Sequence, residues 1–230
     1  MTKEEPPPAG LIIFDCDGVL VDSEPLALRV LLEGIAERGI AIEEGLAYER
    51  FLGRSLASVI ETVQRDFGLA LEVDALDRMR DRLYALFRDE LRAIDGVAEA
   101  IGRLDIPVCV ASSSQMERIR LSLEITGLAA CFADHIFSAT MVANGKPAPD
   151  LFLLAASRMR VDPSRCIVIE DSPAGIEAAK CAGMRVFAFT GGSHARSAEH
   201  RRRLEALQPD LVFDDMARLP ALLGKAGKSQ

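Results

Sequence analysis

The sequence predicts an α/β protein, a doubly wound, mostly parallel sheet with a block of helices inserted behind its first strand. Three observations carry that expectation. The apolar run Leu11–Phe14 has the length and composition of a strand buried on both faces, Pro107–Ala111 reads as another strand, and Cys166–Ile169 is a second strongly apolar one. Segments with apolar residues at helical spacing separate them, and strands alternating with helices build βαβ units. Between Pro25 and about Leu91, by contrast, helical periodicity runs without a clear strand pattern.

Taken in order, the chain justifies each element. Leu11–Phe14 ends at Asp15, Asp17 and the turn residue Gly18. Leu28, Leu31, Leu32 and Ile35 then recur at helix spacing, with Gly39 as the stop. A shorter helix fits between Ile42 and Phe51. Ser55 reads as the N-cap of a helix carrying Leu56, Val59, Ile60 and Val63, closed by Gly68, and Asp74 as the cap of one carrying Leu76, Met79, Leu83 and Phe87. From Ile94 strands and helices alternate. Pro107–Ala111 leads through a serine turn to a helix with Met116, Ile119 and Leu123 that ends at Gly127. A short strand at His135–Phe137, a helix over Asp150–Met159 and the strand Cys166–Ile169 follow. Ser172-Pro173 opens a helix that Gly183 closes. Arg185–Phe189 and Leu211–Phe213 are the last strands, with a helix over Ser197–Leu207 between them. The division expected is an α/β core of residues 1–21 and 93–230 and an α-helical cap of residues 22–92.

Composition narrows the function. The 230 residues are 49 % apolar, enough for a full core without covalent staples. Lysine and arginine number 27 against 35 acids, a net charge of −8, which argues against nucleic acid as a partner. The basic run His200-Arg201-Arg202-Arg203 reads as a solvated helix face. No apolar run approaches the roughly 20 residues of a membrane helix. The N-terminal stretch MTKEEPPPAG lacks a hydrophobic signal segment and reads as a frayed leader. Five cysteines without a CxxC pair argue against a disulfide framework or a zinc site, and a reduced, cytoplasmic compartment is the simplest home.

Four chemistry-bearing features fall just after strands or in a loop between them, and in parallel sheets the carboxyl ends of strands bind ligands. Asp15 and Asp17 follow the first strand, and Ser112-Ser113-Ser114 the second. Lys146 stands in Lys146-Pro147-Ala148-Pro149-Asp150, and Glu170 and Asp171 follow Cys166–Ile169. Each alone has a plain structural explanation: turn or helix capping for the acids and serines, a surface lysine beside prolines. Their joint order is harder to explain that way.

FDCDGVLVDSE, VASSS, KPAPD and IEDSPAGIEAA, in that order, resemble the haloacid dehalogenase-like hydrolase superfamily, and the resemblance covers nearly the whole chain. It implies a Rossmann-like core with a helical cap inserted after the first strand, and phosphoryl transfer through an aspartyl-phosphate. Asp15 is then the nucleophile, and Asp17 protonates the leaving oxygen and later deprotonates water. Ser112, Ser113 and Lys146 hold the phosphoryl group. Mg²⁺, suited to an all-oxygen shell, is held by Asp15, the Asp17 backbone carbonyl, Glu170 and Asp171. The Lys146-Pro147 bond is a candidate for a cis peptide.

Asp17 also selects the branch. Haloalkanoate dehalogenases and phosphonatases lack an acid at that position, so phosphate-ester chemistry is favoured. The expected reaction is hydrolysis of a small phosphomonoester, a sugar or polyol phosphate, by a monomer or weak homodimer. A sugar phosphomutase of the β-phosphoglucomutase type is the alternative; its cap lysine and arginine align with Leu52 and Leu56, with Arg54 displaced by two. A non-catalytic sugar-phosphate sensor is a third reading, which an intact nucleophile disfavours. Thr190-Gly191-Gly192-Ser193-His194 reads as a flexible loop. His135, His194 and His200 show no ligand spacing and receive no role, and Cys16, between the aspartates, is expected to pack away from them.

Overall fold

The computed structural model describes residues 7–51, 56–196 and 198–226. Strand β1 (Leu11–Phe14) is followed by helices α1 (Glu24–Ala36), α2 (Glu44–Phe51), α3 (Leu56–Phe67), α4 (Val73–Glu90) and α5 (Val97–Gly102). The alternating part runs β2 (Val108–Ser112), α6 (Met116–Ile125), α7 (Ala129–Phe132), β3 (Ile136–Ser138), α8 (Asp150–Met159), β4 (Cys166–Glu170), α9 (Pro173–Cys181), β5 (Arg185–Phe189), α10 (Ala198–Ala206), β6 (Leu211–Phe213) and α11 (Leu219–Ala226). The strands form one parallel six-stranded sheet in the order β3-β2-β1-β4-β5-β6. The order reverses at β1, between β2 and β4, and that switch point is where a doubly wound sheet opens a crevice.

Strand alternation sends successive side chains to opposite faces. Ile12, Phe14, Val110, Ile167 and Ile169 join one apolar cluster, and Leu11, Ile13, Cys109, Ala111 and Val168 the other. With both faces covered by helices, β1 and β4 are buried throughout, so their run of apolar residues is continuous rather than alternating. Each fully buried Leu, Ile or Phe contributes about 1.5–3 kcal/mol. Cys16 lies in the first cluster, consistent with a packing role.

A third cluster sits among the helices after β1. Leu28, Leu31 and Ile35 of α1 meet Ala47, Phe51, Val59, Val63 and Leu71. Helix α4 crosses from this cluster to the sheet, where its Leu83 and Phe87 pack with Phe14 and Ile119. The two chain crossings are pinned side by side. Val21 bridges Ala93, Asp22 N–H donates to the Arg92 carbonyl at 3.0 Å, and Ile94 N–H to that of Leu20 at 2.9 Å.

Two expectations change. Asp74 does not cap α4: Glu72 occupies the N-cap with extended backbone and Asp74 lies in the first turn. Burial of Leu71 in the third cluster fixes where the chain enters the helix, and Asp74 still benefits there from the helix dipole. The loop after β5 is not plain, because Ser193–Arg196 form a 3₁₀ turn whose His194 is buried. The proposed cap on α3, Ser55, and the segment bearing Leu52 and Arg54 lie outside the described residues, as does the side chain of Leu56. Among the described residues no helix is long and apolar enough to cross a membrane, and all five cysteines are free.

Candidate active site

Register explains why acids distant in sequence meet. Phe14 pairs with Ile169, and Asp15 N–H donates to the Ile169 carbonyl at 3.0 Å, so Asp15 and Glu170 leave adjacent strands at the same level. Carboxylate oxygens of Asp15, Glu170 and Asp171, all buried, converge within 4.8 Å of one another. Lys146 enters from the loop before α8. Its Nζ donates to Asp15 Oδ1 at 2.6 Å and Glu170 Oε1 at 2.7 Å, and lies 4.9 Å from the centre of the Phe152 ring. The Lys146-Pro147 peptide is cis, as the sequence suggested.

Glu170 is heavily engaged. Besides Lys146 on Oε1, its Oε2 accepts the N–H groups of Asp171 (2.7 Å) and Ser172 (2.8 Å) and the Ser172 hydroxyl (3.1 Å). Ser172 also caps α9, accepting from Gly175 N–H at 3.1 Å. The missing side chain of Gly175 makes room here, since a Cβ would stand 1.8 Å from Glu170 Oε1.

Asp17 is placed differently from its partners. Its carboxylate is not one of the converging three. Oδ1 accepts from Ser23 Oγ at 2.5 Å and Arg118 Nη2 at 2.7 Å, and Oδ2 from Ser114 Oγ at 2.6 Å. Ser23 therefore does not cap α1, and Ser114 does not cap α6, which starts after Gln115 without a side-chain cap. Ser112 is buried, its Oγ accepting from Ser114 N–H at 3.1 Å, and Ser138 Oγ at the end of β3 holds the Ser114 carbonyl at 2.7 Å. Ser113 is exposed on this turn. Arg118 stacks over Phe87 of α4, 5.4 Å from the ring centre, linking Asp17 to the inserted helices.

Electrostatics separate the two aspartates. Burial pushes the Asp15 carboxyl well above the usual carboxylate range; Lys146 pulls against it, while Glu170, Asp171 and Asp17 add to the rise. Burial likewise raises Glu170, again against Lys146. Lys146 stays firmly protonated, because Asp15 and Glu170 outweigh the penalty of burial. Asp17 goes the other way. Burial opposes its charge, but Arg118, Ser114 and Ser23 together hold its pKa below the ordinary value. Glu24, beside this group, is raised to about 7 by burial and by Asp17. A crowd of buried carboxylates with one ammonium lacks positive charge, and a hard dication among oxygen donors suits that deficit.

Ser114, part of the serine run the sequence singled out, bonds Asp17. Residue patterns missed the other participants: Arg118 and Ser23 also bond Asp17, and His194 and His200 both reach Asp171. His194 Nε2 lies 2.7 Å from Asp171 Oδ2, and His200 Nε2 hydrogen-bonds the Asp171 carbonyl at 2.8 Å. His200 thus turns inward from the basic run expected to be a solvated face, whereas Arg201, Arg202 and Arg203 stay exposed. No spacing rule signals these residues; the one hint was a Gly-Gly pair two residues before a histidine.

Comparison with known proteins agrees with this geometry. The family model described as haloacid dehalogenase-like hydrolase matches residues 10–183. The chain is 33 % identical over 212 residues to 6-phosphogluconate phosphatase of Escherichia coli K12, covering 92 % of this chain and 93 % of that protein. It is 35 % identical over 180 residues to fructose-1-phosphate phosphatase YqaB of the same organism, covering 76 % and 93 %. The crystal structure of a conserved haloacid dehalogenase-like protein of unknown function from Agrobacterium tumefaciens C58 superposes with a TM-score of 0.85 at 38 % identity, covering 96 % of this chain and all of that one. Sequence, sheet order and the acids at the switch point thus lead to one assignment: the chain belongs to the haloacid dehalogenase-like hydrolase family.

Proposed function

We propose that this protein is a Mg²⁺-dependent phosphatase that hydrolyses a small phosphomonoester, a sugar or polyol phosphate, through an aspartyl-phosphate on Asp15. The observation that carries the reading is the meeting of Asp15, Glu170, Asp171 and Lys146 in one buried cluster at the switch point of the sheet. The names of two relatives, acting on 6-phosphogluconate and fructose 1-phosphate, support the substrate class.

In this reading an Asp15 oxygen attacks phosphorus in line, and the bond to the leaving oxygen breaks as Asp17 gives that oxygen a proton. Water then attacks the phosphorus of the phospho-enzyme, Asp17 takes its proton, and phosphate leaves with Asp15 regenerated. Lys146, Ser112 and the backbone of Ser113 hold the equatorial oxygens. Mg²⁺ would be held by Asp15, Asp171 and the Asp17 backbone carbonyl, and would neutralise charge on the phosphoryl oxygens. Glu170, with both oxygens engaged, fits a contact through water. The contacts of Asp17 favour its ionised form, so proton donation requires that Arg118 loosen. Residues 22–92 would act as the cap, hinged where Val21 and Asp22 pair with Ala93 and Arg92 and coupled to Asp17 through Phe87 and Arg118.

The test is release of inorganic phosphate from p-nitrophenyl phosphate and a panel of sugar and polyol phosphates, with Mg²⁺ and with EDTA. Mg²⁺-dependent release that Asp15→Asn abolishes is the expected result. No release from any ester, or isomerisation of β-glucose 1-phosphate in the presence of its bisphosphate, would replace the hydrolase assignment.

A further inference from the structure

The segment Thr190-Gly191-Gly192-Ser193-His194 is built to deliver an imidazole to Asp171. A Cβ on Gly191 would lie 2.3 Å from the Asp214 carbonyl oxygen and 2.5 Å from the Phe189 ring. One on Gly192 would lie 2.8 Å from His194 Cε1 and 2.9 Å from the Gly18 carbonyl oxygen. Only a pair without side chains lets the strand exit pass so close beneath the β1 turn. Gly18 closes the opposite side: at φ +80°, a Cβ there would stand 1.9 Å from Asp171 Oδ2 and 2.6 Å from His194 Cε1. The imidazole is thus slotted between two glycines with its side chain 1 % exposed.

Its Nε2 lies 2.7 Å from Asp171 Oδ2, an ion-pair distance without the alignment of a hydrogen bond. His200, from α10, donates from Nε2 to the Asp171 carbonyl at 2.8 Å and packs edge-on against His194, ring centres 5.5 Å apart. Asp171 is therefore gripped at its side chain and its main chain by two rings that themselves touch. With Oδ2 against His194, the carboxylate is set in one orientation within the cluster it shares with Asp15 and Glu170. An outer partner that fixes a ligating carboxylate in one rotamer raises metal affinity by sparing that side chain an ordering cost.

We propose that His194 is a positioning residue that sets the Asp171 carboxylate for divalent-cation binding, with His200 buttressing it through the main chain. This rests on the reading of the acidic cluster as a Mg²⁺ site.

The experiment is calorimetric titration of Mg²⁺ into the wild-type protein and into His194→Leu, His194→Gln, His200→Phe and Asp171→Asn, with thermal midpoints measured in EDTA. Leucine keeps bulk without a donor, whereas glutamine carries an amide donor at nearly the reach of Nε2. We expect His194→Leu to weaken Mg²⁺ about 10–100-fold and His194→Gln to recover most of that loss. His200→Phe should weaken it less, and midpoints in EDTA for both His194 variants should stay close to one another, separating positioning from folding. Equal Mg²⁺ affinity in wild type, His194→Leu and His194→Gln would overturn the proposal. So would tighter binding in His194→Leu, since His194 would then be competing with the cation. If wild type and Asp171→Asn bind Mg²⁺ equally, the metal site itself is wrong and the proposal falls with it; if only Asp171→Asn loses binding, the site stands and the role of His194 does not.

Discussion

Replacing Lys146 with methionine isolates what one buried cation does. The ammonium is 3 % exposed and bonds at 2.6 and 2.7 Å to two carboxylates whose side chains are 9 % and 1 % exposed. Methionine fills similar volume and removes only the charge and its donors. Removing one partner of a buried ion pair leaves an uncompensated charge and costs about 3–5 kcal/mol. At about 2–4 °C per kcal/mol for a chain of this size, the melting midpoint in EDTA near pH 8 should fall by about 6–20 °C. The loss should also depend on pH. Burial already raises Asp15 and Glu170, and without Lys146 both rise further. An acid whose folded pKa is raised destabilises the fold when ionised, so the penalty is complete above the folded pKa and shrinks as pH falls toward the unfolded value near 4. Differential scanning fluorimetry of both proteins from about pH 8 to about pH 5 reads this directly. A deficit under about 2 °C, or one that does not change with pH, would refute the idea that Lys146 neutralises this cluster.

Other outcomes follow from the same contacts. Asp17→Asn should slow turnover by about 100-fold or more, since general acid–base groups contribute roughly 10²–10⁴-fold, while Mg²⁺ affinity measured by calorimetry stays near wild type. Arg118→Met should cost about 1.5–3 kcal/mol at neutral pH in chemical denaturation, for loss of a hydrogen bond between charged groups. Because the folded pKa of Asp17 is lowered, that stability is present above about 3.9 and disappears as pH falls through the lower folded value, so the two proteins should converge in strong acid. Gly175→Ala would place a methyl 1.8 Å from Glu170 Oε1, and should cost about 1–3 kcal/mol by displacing Glu170 from Lys146, with a parallel fall in phosphate release.

Much of the fold was legible because its signals are local. Leu11–Phe14 and Cys166–Ile169 are apolar for the reason that both faces of a central parallel strand are covered, and Ser172-Pro173 announces a helix through its own cap. Asp15, Asp17, Lys146, Glu170 and Asp171 stand out because they fall in one order at strand ends or in a loop between strands, where a parallel sheet binds ligands. Helix starts were less legible where tertiary packing sets the entry. Leu71 decides where α4 begins, and Asp74, a sound cap by type, ends up inside the first turn.

By itself the sequence determined the alternation of strands and helices and the inserted helical block, and it singled out Asp15, Lys146, Glu170 and Asp171, which the fold brings together. Only the tertiary structure decided which strands are neighbours, and hence that Asp15 and Glu170 emerge level across one pair of hydrogen-bonded strands. It alone brought Arg118 onto Asp17 across 101 residues and turned His200 inward to Asp171. The physical reason is that periodicity records how a segment meets its own core. The partner of a buried charge is fixed by sheet order and backbone clearance, which no local spacing encodes.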